Sequence, residues 1–285
     1  MVTRAAKSSF PCKTFVVDKK IIVVTGASDG IGAAAARSLV DLGHRVVVVG
    51  RSPKKTELVA ADIGMPFYLA DFKRLDDVRS LASQLKRDFP RIDVLANNAG
   101  GIMGPRELTV DGNETTIQVN HLAPFLLTNL LLDVLIASRA RVINTSSGAH
   151  KSAGKLDLDD LTLSRRHTPG RAYATAKLLN ILFTKELQVR FGPDGVRAAA
   201  FHPGVVNTNF SSEYGGLINL GFTSVARHFF RSPEKGADTL VWLATTNDWQ
   251  PGLYYKDRKV VRTSTQANDL QLADRLWECS VSLTK

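Results

Sequence analysis

Cysteine is scarce in this sequence, where only Cys12 and Cys279 occur among 285 residues. Two cysteines cannot build a disulfide framework, and neither a C-x-x-C pair nor the histidine spacing indicates a metal site. Long apolar runs are missing as well: Ile21–Val24 and Val46–Val49 are far shorter than the ~20 residues that a membrane helix needs. These absences argue against a disulfide scaffold, a bound metal and a membrane span, and they favour a reducing, cytoplasmic setting.

Acidic residues are outnumbered, since 37 Lys and Arg stand against 27 Asp and Glu, for a net charge of +10. Part of the excess lies near the N-terminus, where the sequence has one acidic residue, Asp18, and five basic residues, Arg4, Lys7, Lys13, Lys19 and Lys20. This stretch has no apolar h-region of the kind that a signal peptide needs. We interpret residues 1–18 as a solvated basic tail rather than a nucleic-acid-binding arm. The remaining positive charge would favour encounter with an anionic cofactor or substrate.

Repeats, low-complexity segments and linkers rich in Pro, Gly and Ser are also lacking, so we predict one domain over residues 19–285. Short apolar strands alternate with helices along it. The predicted strands are Ile21–Thr25, Arg45–Val49, Pro66–Ala70, Ile92–Ala96, Arg141–Thr145 and Val196–Phe201. The predicted helices are Ala33–Leu42, Leu75–Phe89, Leu122–Ala137 and Tyr173–Phe191. Because continuously apolar strands are buried on both faces, this alternation predicts an α/β fold with a doubly wound parallel sheet.

A glycine-bearing turn, Thr25–Gly32, connects the first predicted strand to the first predicted helix. Glycines allow the backbone to approach a pyrophosphate closely, and the N-terminus of the helix offers it unpaired N–H groups. The spacing Gly26-x-x-x-Gly30-x-Gly32 departs from G-x-G-x-x-G, and glycines also serve ordinary left-handed turns. Because this turn stands between a strand and a helix, we predict dinucleotide binding by Gly26, Ser28, Asp29, Gly30, Ile31 and Gly32.

The ends of the next two strands carry residues that would select the dinucleotide. An NAD site calls for an acidic residue after the second strand, but Arg51 stands there, followed by Lys54 and Lys55. A cation without a carboxylate favours a 2′-phosphate, so we expect NADP(H) rather than NAD(H), unless Arg51 is only an exposed loop residue. Asp71 ends the third strand, where it would accept a hydrogen bond from the adenine amino group or cap the following helix.

Tyr173 and Lys177 stand four residues apart, on one face of a predicted helix. An ammonium group one turn away favours a phenolate, so we expect a lowered Tyr173 pKa and general acid–base action by the phenol. The same spacing recurs at Tyr255 and Lys259, in a strand-like stretch to which we assign no chemistry. Tyr173 differs from Tyr255 in its surroundings, because Ser146–Ser147 ends the strand that precedes its helix. A serine hydroxyl there would polarise a substrate carbonyl, or it would only hydrogen-bond the backbone of its own turn.

Together these motifs resemble the short-chain dehydrogenase/reductase superfamily in order and spacing, from about Lys20 to the C-terminus. The motifs are Thr25–Gly32, Asn97-Asn98-Ala99-Gly100, Asn120, Ser147, Tyr173-x-x-x-Lys177 and Pro203-Gly204. The resemblance implies a Rossmann fold with three αβα layers and a nicotinamide cofactor. It also implies a catalytic tetrad of Asn120, Ser147, Tyr173 and Lys177.

Matched by position, Tyr173 resembles the family's acid/base residue and Ser147 the hydroxyl that polarises the substrate. Lys177 would serve both the tyrosine and the nicotinamide ribose, and Asn120 would hold a water that links Lys177 to solvent. The same resemblance implies further cofactor contacts from Asn97, Ala99, Gly100, Pro203, Gly204 and Thr208.

A finer resemblance is to the retinol-dehydrogenase-like branch. It is carried by Asn120-His121-Leu122, Ser146–His150, the long interval from Ser147 to Tyr173, Leu178–Lys185 and Asp274–Trp277. Members of that branch often act with NADP(H) on retinoids, steroids or other lipid alcohols and aldehydes. This chain departs from the pattern at Ala172 and Ala176, and we expect no counterpart of the branch's N-terminal membrane anchor. The resemblance implies an NADP(H)-dependent oxidoreductase for an alcohol, aldehyde or ketone, and we expect an apolar substrate.

Two other functions share the implied fold. An epimerase or dehydratase would reuse the tyrosine and the lysine, although such relatives usually carry a longer substrate-binding half. A catalytically idle NADP(H) sensor would not need to keep a base, a hydroxyl and a lysine. The apolar stretches Leu122–Ala137 and Tyr173–Phe191 would pair across a homodimer or homotetramer interface, or pack as buried core helices.

Overall fold

An eight-stranded sheet organises the computed structural model, which describes residues 19–206 and 231–285. Its strands are β1 (Ile21–Thr25), β2 (Arg45–Gly50), β3 (Phe67–Leu69), β4 (Val94–Asn97), β5 (Arg141–Thr145), β6 (Arg197–Phe201), β7 (Tyr254–Lys256) and β8 (Lys259–Val260). Their order is β3-β2-β1-β4-β5-β6-β7-β8, and all pairs are parallel except β7–β8. The predicted doubly wound sheet is confirmed, and its strand order reverses between β1 and β4, where such sheets bind ligands.

Helices cover both faces of the sheet. In the described ranges they are α1 (Gly30–Asp41), α2 (Pro53–Ile63), α3 (Leu75–Asp88), α4 (Thr115–Ile117), α5 (Ala123–Leu130), α6 (Leu132–Ala137), α7 (Pro169–Phe191), α8 (Pro233–Thr245) and α9 (Leu270–Leu283). One face is covered by α1, α2 and α8, and the other by α3, α5, α7 and α9, which gives three αβα layers. None of these helices has the length and apolar character that crossing a bilayer requires.

Apolar side chains leave both faces of the central strands. Val23 and Val47 contribute to the core on the α3 and α5 side, whereas Val24 and Val48 pack on the α1 and α8 side. All four are fully buried, because successive side chains of a strand point to opposite faces. The small residues Ala33–Ala36 of α1 are all buried, because this helix packs against both the sheet and α8. The turn that leads into α1 therefore sits directly over the strand ends.

The prediction of one helix over Leu122–Ala137 is wrong in its boundaries and its continuity. A π-helical turn at Gln118–Leu122 precedes α5, and the helix breaks at Leu131 before α6 begins. Leu131 has φ −98° and ψ 2°, and its N–H is shared between the carbonyls of Leu127 and Thr128. Apolar periodicity indicates which face is buried, but it does not register a one-residue change in hydrogen-bond spacing.

Other helix boundaries also differ from the predicted ones, because capping residues determine where a helix begins. Helix α7 begins at Pro169 rather than Tyr173, since the Thr168 hydroxyl accepts the N–H of Arg171 at 3.1 Å and proline suits the first helical turn. Helices α2, α8 and α9 and strands β7 and β8 were not predicted from the sequence. Helix α2 shows why such elements are missed, because it buries only Thr56, Val59 and Ala60 and has little apolar periodicity.

The apolar faces of α5 and α7 are buried within the chain by α9. Trp277 of α9 packs against Phe125 and Phe183, with ring centroids 4.9 Å and 5.9 Å away. Arg190 lies over the same indole, 4.8 Å from its centroid. This packing supports the buried-core alternative for the two helices, while a homodimer or homotetramer stays a prediction.

We expect Trp277→Ala to lower the free energy of unfolding by about 3–5 kcal/mol, because it leaves a cavity between α5, α7 and α9. Urea denaturation followed by circular dichroism measures the change. The control is Leu58→Ala: Leu58 is 61% exposed on α2, and its truncation should cost less than about 0.5 kcal/mol. A cost for Trp277→Ala as small as that of the control would contradict the role given to α9.

Candidate active site

A cleft lies at the carboxyl ends of the central strands, where the strand order reverses. One cavity in it has a volume of about 350 Å³ and is lined by Gly26, Ser28, Asp29, Gly30, Ile31, Gly32, Arg51, Ser52, Lys55, Asn98, Ala99, Gly100, Thr145, Tyr173, Lys177 and Pro203. A second cavity of about 230 Å³ shares Arg51 and Gly100 with the first and extends to Asp71 and Met103. The structure thus brings most of the predicted site residues to one place.

The backbone of the first turn is packed too tightly to admit side chains. A Cβ on Gly32 would lie 2.2 Å from the carbonyl oxygen of Gly26 and 2.7 Å from Nδ2 of Asn98. Asn98 Nδ2 donates to the Thr25 carbonyl at 3.0 Å. The Thr25 hydroxyl accepts the N–H groups of Asn98 and Ala99, both at 3.0 Å. These bonds tie the turn to the end of β4 and give the cleft a rigid backbone wall.

Charged side chains border the cleft at the ends of β1 and β2. Asp29 caps α1 by accepting the N–H of Gly30 at 2.8 Å, and its carboxylate pairs with Lys55 at 2.9 Å. Arg51 is exposed and lines both cavities. Pro53 starts α2 directly after β2, which carries Lys55 back toward Asp29. Both cations therefore stand where the sequence analysis expected the dinucleotide to be selected.

Asp71 lines the second cavity and closes a local turn. Its carboxylate accepts the N–H of Lys73 at 3.0 Å, and its own N–H donates to the Asp77 carboxylate at 3.1 Å. Helix α3 begins after Arg74, which occupies the cap position. The alternative in which Asp71 caps this helix is therefore wrong, and its carboxylate borders the cavity instead.

Asn97 does not line the cleft, which corrects the prediction of a cofactor contact there. Asn97 is 3% exposed, and its Nδ2 donates to Thr128 at 3.0 Å and to Asn144 at 2.9 Å in the interior. The next residue, Asn98, lines the cleft and was missed as an individual site residue. The alternation of side chains along β4 indicates that two adjacent asparagines point to opposite faces, but it does not indicate which of them faces the cleft.

Tyr173, Ser147 and Lys177 meet at one end of the cleft. A side-chain hydrogen bond joins the Ser147 hydroxyl and the phenol of Tyr173. Lys177 Nζ lies 5.2 Å from the centroid of the Tyr173 ring and donates to the Thr145 carbonyl at 3.1 Å. Ser146 points elsewhere, because its hydroxyl donates to the backbone carbonyl of Lys177 at 2.7 Å. The serine beside the phenol is therefore Ser147, as the sequence analysis chose.

Burial governs the protonation of the tyrosine and the lysine. It raises the pKa of Tyr173 above its ordinary value of 10.0, and the hydrogen bond with Ser147 only partly opposes this change. Burial also lowers the pKa of Lys177 to about 7. The expectation that the Tyr173 pKa is lowered is therefore wrong for these side chains, because desolvation outweighs the opposing hydrogen bond with Ser147. At neutral pH the phenol is protonated.

Asn120 lies in the π-helical turn, and both its side-chain amide and its backbone carbonyl make hydrogen bonds. Its Oδ1 accepts the N–H of Gly101 at 3.0 Å, and its Nδ2 donates to the Gly101 carbonyl at 2.8 Å. Its backbone carbonyl accepts Nδ2 of Asn180 at 3.0 Å. A Cβ on Gly100 would lie 2.3 Å from Oδ1 of Asn120 and 3.3 Å from Nζ of Lys177. Asn120 thus adjoins Lys177 while holding the loop after β4, and Asn180 is a neighbour that the sequence analysis missed.

The remaining predicted contacts follow β6. Pro203 lines the cleft. Gly204 has φ +89° and donates its N–H to Nδ1 of His202 at 3.3 Å, and its contact with a cofactor stays a prediction. Thr208 lies outside the described residues, so its contact stays a prediction.

The second Tyr-x-x-x-Lys match lies in the hairpin of β7 and β8, not on a helix. The buried Tyr255 hydroxyl donates to the Gln250 carbonyl at 2.8 Å. Lys259 begins β8 on the exposed side. The two side chains therefore have no shared helix face, which agrees with assigning them no chemistry.

Comparison with known proteins identifies the family. The model of the short chain dehydrogenase family matches residues 20–215. A Streptomyces sp. (strain C5) protein that carries the name daunorubicin C-13 ketoreductase is 41% identical over 92% of both chains. Retinol dehydrogenase 12 of Mus musculus is 38% identical over 95% of this chain and 89% of its own. The solved structure of an uncharacterised Mycobacterium paratuberculosis protein has a TM-score of 0.75 and 34% identity, with 93% of each chain covered.

The chain therefore belongs to the short-chain dehydrogenase family and resembles its retinol-dehydrogenase-like branch. It is an oxidoreductase that acts on CH–OH groups. The family binds NAD(P)(H), and the residues of the cleft fit such a cofactor. The start of α1, at Gly30, Ile31 and Gly32, lines the cleft, and the N-terminus of a helix suits a pyrophosphate.

We expect Gly32→Ala to displace the first turn, because the new Cβ would overlap the Gly26 carbonyl. NADPH affinity, measured by fluorescence titration, should fall by about tenfold or more, with a loss of about 1–3 kcal/mol in stability. Gly170→Ala is the matched control, since nothing lies within 4 Å of its Cβ position on α7. Equal affinities for the two variants would contradict the close packing.

Proposed function

We propose that this protein is an NADP(H)-dependent oxidoreductase that interconverts apolar carbonyl compounds and their alcohols, with Tyr173 as the proton-transfer residue. The observation that carries the proposal is the meeting of Ser147, Tyr173 and Lys177 at the cleft beside the glycine-bearing turn. A proton donor, a second hydroxyl and an amino group are thus next to a site suited to a dinucleotide.

The chemistry of the cleft suggests which residues would hold the cofactor. The turn residues Gly26–Gly32 and the start of α1 would face the pyrophosphate, and Asp71 would bond the adenine amino group. Tyr173 and Lys177 would contact the ribose beside the nicotinamide. Ala99, Gly100 and Pro203 would border it. When bound, the nicotinamide donates or accepts the hydride.

In carbonyl reduction, Tyr173 would act as the general acid. Its raised pKa keeps the O–H in place at neutral pH, so the proton is available to the oxygen that gains charge as hydride arrives. Ser147 would turn its hydroxyl toward the same oxygen and stabilise it. Lys177, as the ammonium form, would stabilise the phenolate that remains. Alcohol oxidation would run the same proton transfer in reverse.

Two cations favour NADP(H) over NAD(H). Arg51 is exposed at the end of β2 and borders both cavities, where a 2′-phosphate would meet its guanidinium group. Lys55 is close behind it, although it is paired with Asp29. Among the residues lining the first cavity, Asp29 is the acidic one, and its carboxylate is already occupied by the α1 cap and Lys55.

The substrate class rests on the relatives. The names of the similar proteins specify a retinol, which is a largely apolar alcohol, and the C-13 ketone of daunorubicin. We therefore propose an apolar alcohol or carbonyl compound as the substrate of this chain.

We expect Tyr173→Phe to keep NADPH binding and to lower the rate of carbonyl reduction by about 10²–10⁴-fold, because the proton donor is lost. The measurement is NADPH oxidation with retinal, with an apolar ketone and with a polar hydroxyketone. Tyr255→Phe is the matched control, since it removes the phenol of the second Tyr-x-x-x-Lys match and should keep turnover. Turnover of Tyr173→Phe within a few-fold of the wild type would remove Tyr173 from its role. Preference for the hydroxyketone would refute the apolar substrate.

We expect Arg51→Ala to weaken NADPH binding by about 10-fold or more while NADH binding changes little, because only NADPH has the 2′-phosphate. Fluorescence titration of both dinucleotides measures the selectivity. Arg87→Ala removes another exposed arginine, at the end of α3, and should leave both affinities unchanged. Equal wild-type affinities for NADPH and NADH would refute the assignment to NADP(H).

A further inference from the structure

A buried chain of polar side chains leads from Lys177 to the C-terminal helix. Asn180 is 4% exposed, and its Nδ2 donates to the carbonyls of Thr145 and Asn120, both at 3.0 Å. Lys177 Nζ donates to the same Thr145 carbonyl at 3.1 Å. The lysine and the asparagine lie one turn apart on α7, and they share one acceptor.

The partners of Asn180 fix the orientation of its amide. Nδ2 must face the two carbonyl oxygens, so Oδ1 faces Nδ1 of His121 at 3.3 Å, and that ring nitrogen must carry the proton. Burial lowers the pKa of His121 to about 4, so the ring is neutral and its Nε2 is an acceptor. Nε2 lies 3.0 Å from the Ser280 hydroxyl of α9, which also lies 2.8 Å from the Leu276 carbonyl.

The groups that face Lys177 from the surrounding elements are neutral. They are the Thr145 carbonyl from β5, the Asn120 amide from the π-helical turn and the Tyr173 ring from α7 itself. The carbonyl of Asn120 accepts Nδ2 of Asn180. Lys177 and Asn180 share the Thr145 carbonyl, so the two donors use both lone pairs of one oxygen.

We propose that Asn180 is a positioning residue for Lys177. Asn180 bonds the Asn120 carbonyl, shares the Thr145 carbonyl with Lys177 and so keeps the lysine amino group turned toward Tyr173. This inference rests on the proposed function in one respect, because Lys177 is a residue to which that function gives a catalytic role. His121 acts through Asn180, since its Nδ1–H prevents the amide from flipping. Without the amide, the Thr145 carbonyl serves Lys177 alone, and the ammonium form of Lys177 gains stability.

Titration of Lys177 tests the proposal without cofactor or substrate. The protein is labelled with ¹³Cε-lysine, and the Lys177 signal is identified by its loss in Lys177→Met. In the wild type the signal should titrate with a pKa of about 7. In Asn180→Leu, which removes the amide at similar size, we expect the midpoint to rise by about half a pH unit or more. In Asn180→Asp, which is isosteric, the added carboxylate should raise it further.

Thr184→Val is the matched control. Thr184 is buried one turn further along α7, and its hydroxyl donates to the Asn180 backbone carbonyl at 2.7 Å. The variant loses a buried hydrogen bond but keeps the Asn180 amide. We expect a lowered melting temperature with an unchanged Lys177 midpoint. A midpoint in both Asn180 variants equal to that in Thr184→Val would overturn the proposal and leave Asn180 a purely structural residue.

The pH profile of NADPH-dependent reduction separates this inference from the proposed function. If the Lys177 titration midpoint rises in Asn180→Leu and the pH dependence of the reduction rate shifts by the same amount, the positioning role of Asn180 and the proposed function are both supported. If the midpoint rises while the activity profile stays fixed, the positioning role holds and the catalytic role of Lys177 fails.

Discussion

Burial of an amino group against the strand ends is the constraint on which the site depends. Lys177 is 2% exposed, and its Nζ reaches the Thr145 carbonyl at the end of β5. Helix α7 is held there by apolar packing on both sides, with Leu178, Leu179 and Leu182 fully buried. The same burial lowers the pKa of the lysine and raises that of Tyr173. Packing of the fold thus sets the protonation of the two groups that we propose for catalysis.

Local patterns made much of the fold and the site predictable. The strand–turn–helix segment from Ile21 onward is visible because apolar β-branched residues, glycines and alanines succeed one another within a few positions. Tyr173 and Lys177 share a helix face through their spacing alone. Their approach to the first turn also followed, since parallel strands bring their carboxyl ends to one edge of the sheet.

Properties that depend on tertiary packing could not be predicted in this way. The choice between Asn97 and Asn98 depends on which side of β4 faces the cleft, and the break at Leu131 depends on a local change in backbone bonding. The sign of the Tyr173 pKa change was mistaken because a sequence gives the neighbouring charge but not the desolvation. Asn180 escaped notice for a similar reason, since its partners come from distant parts of the chain.

The most direct test of the catalytic arrangement is the distance between the Tyr173 oxygen and a bound carbonyl oxygen. A crystal structure with NADP(H) and an unreactive carbonyl analogue would measure it. The account predicts a hydrogen bond of about 2.6–3.2 Å, with the carbonyl carbon facing C4 of the nicotinamide. A carbonyl held by another side chain, with the phenol turned out of the cleft, would contradict it.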